Sequence, residues 1–81
     1  MERCTVRVMF RDGRPEEDLS VPIDITAYEL VQGINKAYQM EYTEEQLRSY
    51  SLRGENPICL IRGAQKLREY GIHNGSIIHI P

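Results

Sequence analysis

The sequence predicts an α+β fold in which a mixed five-stranded sheet packs on a single helix, in the order strand, strand, helix, strand, strand, strand. Three observations carry this. Apolar and polar residues alternate with period two at both ends of the chain, one capped amphipathic helix begins at Thr26, and turn-forming clusters separate the remaining apolar runs. One helix has one apolar stripe to bury and a sheet has one face to offer it. A chain of 81 residues supports one modest core, so residues 1–81 form a single domain.

Each element has a local cause. Over residues 3–11, Cys4, Val6, Val8 and Phe10 face one way, while Arg3, Thr5, Arg7, Met9 and Arg11 face the other, the pattern of a half-buried strand. Asp12-Gly13-Arg14-Pro15 supplies a turn. A second strand runs around residues 18–21 with Leu19 and Val21 inward, and Pro22, lacking an N–H, closes it or lies on a sheet edge. Thr26 and Glu29 have the spacing of a capping box. Behind that cap, Leu30, Val31, Ile34, Ala37 and Tyr38 form one apolar stripe. Gly33 costs this helix stability, and a close approach to the sheet would explain it. A second capping signature at residues 43–46 begins only a short turn, because Ser49, Tyr50 and Ser51 return to alternation. The third strand then places Tyr50 and Leu52 inward with Ser49, Ser51 and Arg53 outward, and residues 53–57 are a turn by composition. Residues 58–61 form a fourth strand of undecided facing, and residues 63–71 a loop or helical turn carrying Leu67 and Tyr70. Asn74-Gly75 turns the chain into a last strand with Ile78 and Ile80 inward and Ile77 and His79 outward.

Composition bounds the function. The chain is 41% hydrophobic and 27% charged, ordinary for a globular domain, and no stretch approaches a membrane-spanning length. The start Met1-Glu2-Arg3-Cys4 lacks a signal peptide's apolar run, so a cytoplasmic location is expected, without membrane insertion. Charge is uneven: residues 1–14 and 47–81 carry surplus arginine and lysine, whereas residues 15–46 hold eight acids against Lys36. Such asymmetry orients a charged partner during encounter. Cys4, Cys59, His73 and His79 lack the paired short spacing of a structural zinc site, so no metal or other cofactor is expected. No phosphate-cradling loop, nucleophile elbow or zinc-peptidase motif occurs, and no enzymatic activity is expected. The outward residues Arg7, Met9, Ser51, Arg53, Ile77 and His79 would give the open sheet face a basic, partly apolar character suited to docking a protein, while the helix side stays acidic.

At this point the chain resembles a known fold family. The run from Leu67 through Tyr70, Gly71, Ile72, Asn74 and Gly75 to Ile78, His79 and Ile80 is similar to the end of ubiquitin, and Ala27, Leu30 and Ile34 match its inward helix positions. The resemblance implies a ubiquitin-like β-grasp with the first and last strands parallel at the sheet centre. It also implies that the Tyr70 hydroxyl bonds the backbone of the preceding loop. More closely, the Asp18-Leu19-x-Val21-Pro22 step and the Gly71-Ile72-x-Asn74-Gly75 turn resemble the bacterial YukD/EsaB family of type VII secretion. Two features depart from ubiquitin. Ser51 falls where ubiquitin has the central isoleucine of its recognised patch, and the sequence given ends at Pro81 without a Gly-Gly tail.

The resemblance implies a non-covalent adaptor whose partners are the membrane-anchored secretion ATPase or an associated membrane component. A carrier or modifier acting through its C-terminus is the second reading, set back by the missing glycines. A β-grasp RNA-binding module is the third. It lacks a dense basic patch with exposed aromatics, and nucleic acid is not the expected partner.

Overall fold

The computed structural model describes residues 2–80, so the final position, Pro81, lies outside the described residues. The elements run β1 Arg3–Phe10, β2 Glu17–Pro22, α1 Ala27–Tyr38, α2 Glu44–Ser49, β3 Leu52–Glu55, β4 Cys59–Ile61, the 3-10 turn Leu67–Tyr70 and β5 Ile77–Ile80. The sheet order is β2-β1-β5-β3-β4. β1 and β5 pair in parallel at its centre and the other pairs are antiparallel. Val6, Val8, Leu52, Ile61, Ile78 and Ile80 from the sheet bury against Ala27, Leu30, Val31 and Ile34 of α1, with Leu67 filling the end of the layer.

The α1 cap forms as the sequence predicts. The Glu29 N–H donates to Thr26 Oγ1 at 3.1 Å, and the Thr26 N–H donates to the Glu29 carboxylate at 3.0 Å. Pro22 ends β2 on the sheet edge, where its missing N–H leaves no ladder bond unmade. The parity of β1, β2 and β5 also holds, although Phe10 and Leu19 stay half-buried.

Four local expectations are corrected, and the facing of β4, left open by the sequence, is decided. Residues 44–49 form a six-residue helix with its own reciprocal cap between Thr43 and Gln46, and its Leu47 is buried in the core. Ser49 and Tyr50 therefore belong to the helix end, and β3 begins at Leu52 and extends to Glu55, leaving the turn at residues 56–58. β4 faces inward at Ile61, with Cys59 packed on the core and Leu60 outward. Along α1, Ala37 is exposed and Ala27 takes the buried end of the stripe. Gly33 approaches nothing: a Cβ built there meets no atom within 4 Å, so the sheet does not explain the glycine.

Register and a few hydrogen bonds define both sheet edges. The Ile23 N–H donates to the Glu2 carbonyl at 3.2 Å, which turns the peptide groups of Asp18, Ser20 and Pro22 away from β1. The Arg7 and Arg11 amides bond to the Ser76 and Ile80 carbonyls, so Ile77 and His79 bond β3 instead. By the same alternation Leu60 and Arg62 present their peptide groups at the β4 edge. The Tyr70 hydroxyl occupies that edge at Arg62, accepting its N–H at 3.3 Å with its carbonyl at 3.1 Å and Gln65 Oε1 at 2.7 Å.

Candidate functional site

The open sheet face is built from residues whose parity sends them away from α1. Register aligns Leu60, Arg53, His79 and Met9 in one row across β4, β3, β5 and β1. A second row holds Glu55, Ile77, Arg7 and Asp18. Met9, Ser51, Arg53 and His79 line one depression together with Phe10, Arg11 and Ile80. Arg7 and Ile77 line a separate one with Thr5, Asp18, Asn74 and Gly75. All six sequence-predicted docking residues thus lie on this face, but in two neighbouring hollows.

Charge there is less uniformly basic than the sequence suggests. Arg7 pairs with Asp18 at 3.3 Å and with Glu16 at 3.6 Å, both from the adjacent edge of the sheet. His79 Nε2 lies 2.6 Å from the Glu55 carboxylate, and its side chain is 24% exposed. The His79 hydrogen bond is the main reason the Glu55 carboxyl is held below the usual carboxylate range. Arg11 and Arg53 are exposed and make no ion pair among the described residues. The cationic character therefore concentrates in the hollow that also holds Ser51, Met9 and Phe10.

Sequence reasoning missed Phe10 and Arg11, whose place beside Arg53 depends on the parallel β1–β5 register rather than on any local pattern. It also missed the most exposed large apolar side chains, Ile58 at 89% and Leu60 at 53%. Met9 and Ile77, expected as the exposed apolar pair, are half-buried. Leu60 adjoins Arg53 and extends the face to the β4 edge.

The residues around Tyr70 and Asn74 hold this face in shape. Leu67 is fully buried, its N–H bonds the Ile25 carbonyl at 2.9 Å, and buried Ile72 packs into the same cluster. Asn74 Oδ1 accepts the Thr5 N–H at 2.8 Å and the Gly75 N–H donates to the Thr5 carbonyl at 3.0 Å, tying the last turn to β1. Gly75 has φ +91°, the left-handed backbone that the turn demands of a glycine. Beside it the buried Ser76 hydroxyl donates to the Asn56 carbonyl at 2.7 Å and accepts the His73 N–H at 3.0 Å. Burial raises the thiol pKa of both Cys4 and Cys59, and the two cysteines are free. Among the described residues, no three or more His, Cys, Asp or Glu are arranged to hold a metal ion.

A mixed sheet of order β2-β1-β5-β3-β4 clasping one main helix defines the ubiquitin-like β-grasp class. Solved structures agree on the fold. The ubiquitin-like domain of Plasmodium falciparum Dsk2 superposes with a TM-score of 0.65 at 19% identity, covering 96% of this chain and 95% of that one. A ubiquitin from Caldiarchaeum subterraneum gives 0.65 at 10% identity over 99% and 95%. The ubiquitin-like domain of the Mycobacterium tuberculosis type VII secretion system protein ECCD1 gives 0.57 at 15% identity over 98% and 97%. A comparison with curated proteins finds no match. The family model of protein YukD of the WXG100 protein secretion system matches residues 3–80, and the chain belongs to that family. No helix among the described residues is long and apolar enough to cross a membrane.

Proposed function

We propose that this YukD-family protein is a non-catalytic, non-covalent adaptor. It docks in the cytoplasm onto a protein component of the secretion apparatus, either the membrane-anchored ATPase or a membrane component associated with it. The observation that carries the reading is the hollow on the open sheet face, where Arg11 and Arg53 flank Ser51 and Met9. A concave patch joining apolar surface to two guanidinium groups with no ion pair among the described residues has the anatomy of a protein contact, with arginine anchors beside a polar rim. Family membership supports a secretion-associated role, and the hollow supports contact as its means.

The test is charge reversal at Arg11 and Arg53 together. Arg7 is unsuitable, because Arg7→Glu would set an acid against Asp18 and Glu16 and disturb the fold. With the ATPase's soluble portion and the membrane component's soluble portion from the same host as probes, the Arg11→Glu, Arg53→Glu protein should lose most binding while its melting curve stays near wild type. Undiminished binding to either probe would remove the hollow from the interface, and failure of the wild-type protein to bind both would end the adaptor reading.

A further inference from the structure

The opposite side of the molecule carries a groove between the outer edge of β2 and α1, lined by Leu19, Pro22, Ile25, Gly33, Ala37 and Tyr38. Three observations meet there. The first is Gly33, a glycine in the middle of a helix with open space where its Cβ would be, so folding gives no reason for it. The second is the β2 edge itself. Pro22 has no N–H, and the Arg3 guanidinium already donates to the Ser20 carbonyl at 2.8 Å, but the Asp18 peptide and the Ser20 N–H face outward with no partner among the described residues. The third is charge. Glu17 and Glu29 line the groove, and Glu16 and Asp18 flank the same edge.

From this juxtaposition we infer that the β2–α1 groove is a second docking site, which takes an extended partner segment of alternating apolar and basic residues, added as a short strand beside β2. Backbone bonds to Asp18 and Ser20 supply its register. Side chains on the helix side of the added strand drop into the groove, and the missing Cβ of Gly33 gives them room. Side chains on the other side lie level with Asp18 and beside Glu16, two acids that share the single cation Arg7 and so keep a net negative charge that favours lysine or arginine. A second copy of this chain is a poor occupant, since its own β2 would bring Glu16, Glu17 and Asp18 against the same acids. Together with the basic hollow on the open face, the groove makes the molecule a bridge between an acidic and a basic partner surface.

The experiment follows amide resonances of the intact protein during titration with the synthetic peptide acetyl-Lys-Val-Lys-Val-Lys-Val-Lys-amide, with acetyl-Glu-Val-Glu-Val-Glu-Val-Glu-amide in parallel. The basic peptide should shift the resonances of Asp18, Ser20, Gly33 and Ala37 and slow hydrogen exchange at Asp18 and Ser20, and the acidic one should not. Gly33→Gln fills the groove with a better helix former, so its melting midpoint should rise by about 2–5 °C while affinity for the basic peptide falls about tenfold or more. Shifts confined to the open face or the β4 edge would overturn the inference. So would silence at roughly millimolar peptide, equal binding of both peptides, or undiminished affinity in Gly33→Gln.

Discussion

Removing one oxygen tests how the β4 edge is held. Tyr70→Phe leaves the ring in its half-buried seat and deletes the hydroxyl that accepts the Arg62 N–H, with the Arg62 carbonyl and Gln65 Oε1 as the two acceptors within its reach. A hydroxyl has one proton, so it donates to one acceptor at a time and the deletion costs two hydrogen bonds rather than three. Arg62 and Gln65 are exposed, so water replaces part of what is lost, and the net cost is about 1 kcal/mol. Unfolding entropy near 2.1 cal/mol/K per residue over 81 residues converts this to a melting midpoint lower by about 6 °C. Calorimetry on wild type and variant measures the shift directly, and urea titration should show a lower midpoint at unchanged slope. A midpoint within about 1 °C of wild type would refute the reasoning, because it would mean that water serves the Arg62 peptide as well as the tyrosine does.

Three further outcomes follow from other contacts. Ser76→Ala deletes a fully buried hydroxyl that donates to the Asn56 carbonyl and accepts the His73 N–H, and the loss of these two hydrogen bonds should cost about 1–3 kcal/mol in denaturant titrations. Gly54→Ala places a Cβ 2.7 Å from Cys59 Sγ, so overpacking of about 1–3 kcal/mol is expected; Cys59→Ala in the same background should recover part of it. Asp24 and Glu55 are both held below the usual carboxylate range, by hydrogen bonds from Arg68 and His79 respectively. Their contribution is therefore present above their ordinary values near pH 4 and is lost as pH falls through the lowered ones. Urea midpoints measured from neutral pH into that acid window should fall, and Glu55→Gln should flatten part of the fall.

The sequence by itself determined the order of the strands and the main helix, both capping boxes and the facing of β1, β2 and β5. These rest on neighbours no more than four residues apart, where side-chain chemistry and backbone period act without help from the rest of the chain. The Tyr70 contact with the preceding loop was legible through the resemblance to ubiquitin rather than through any period. Tertiary structure alone decided the remainder. The reach of β3 to Glu55 depends on ladder partners on β5, and Arg53-Gly54-Glu55 is as good a turn as a strand until Ile77 to His79 lies beside it. The acids that neutralise Arg7 come from β2, and the pairing of His79 with Glu55 spans 24 residues. Which arginines remain open to a partner, and which glycine the fold does not need, are properties of space left over after packing. No local pattern encodes that space, because it is set by chain segments that meet only once the sheet has closed.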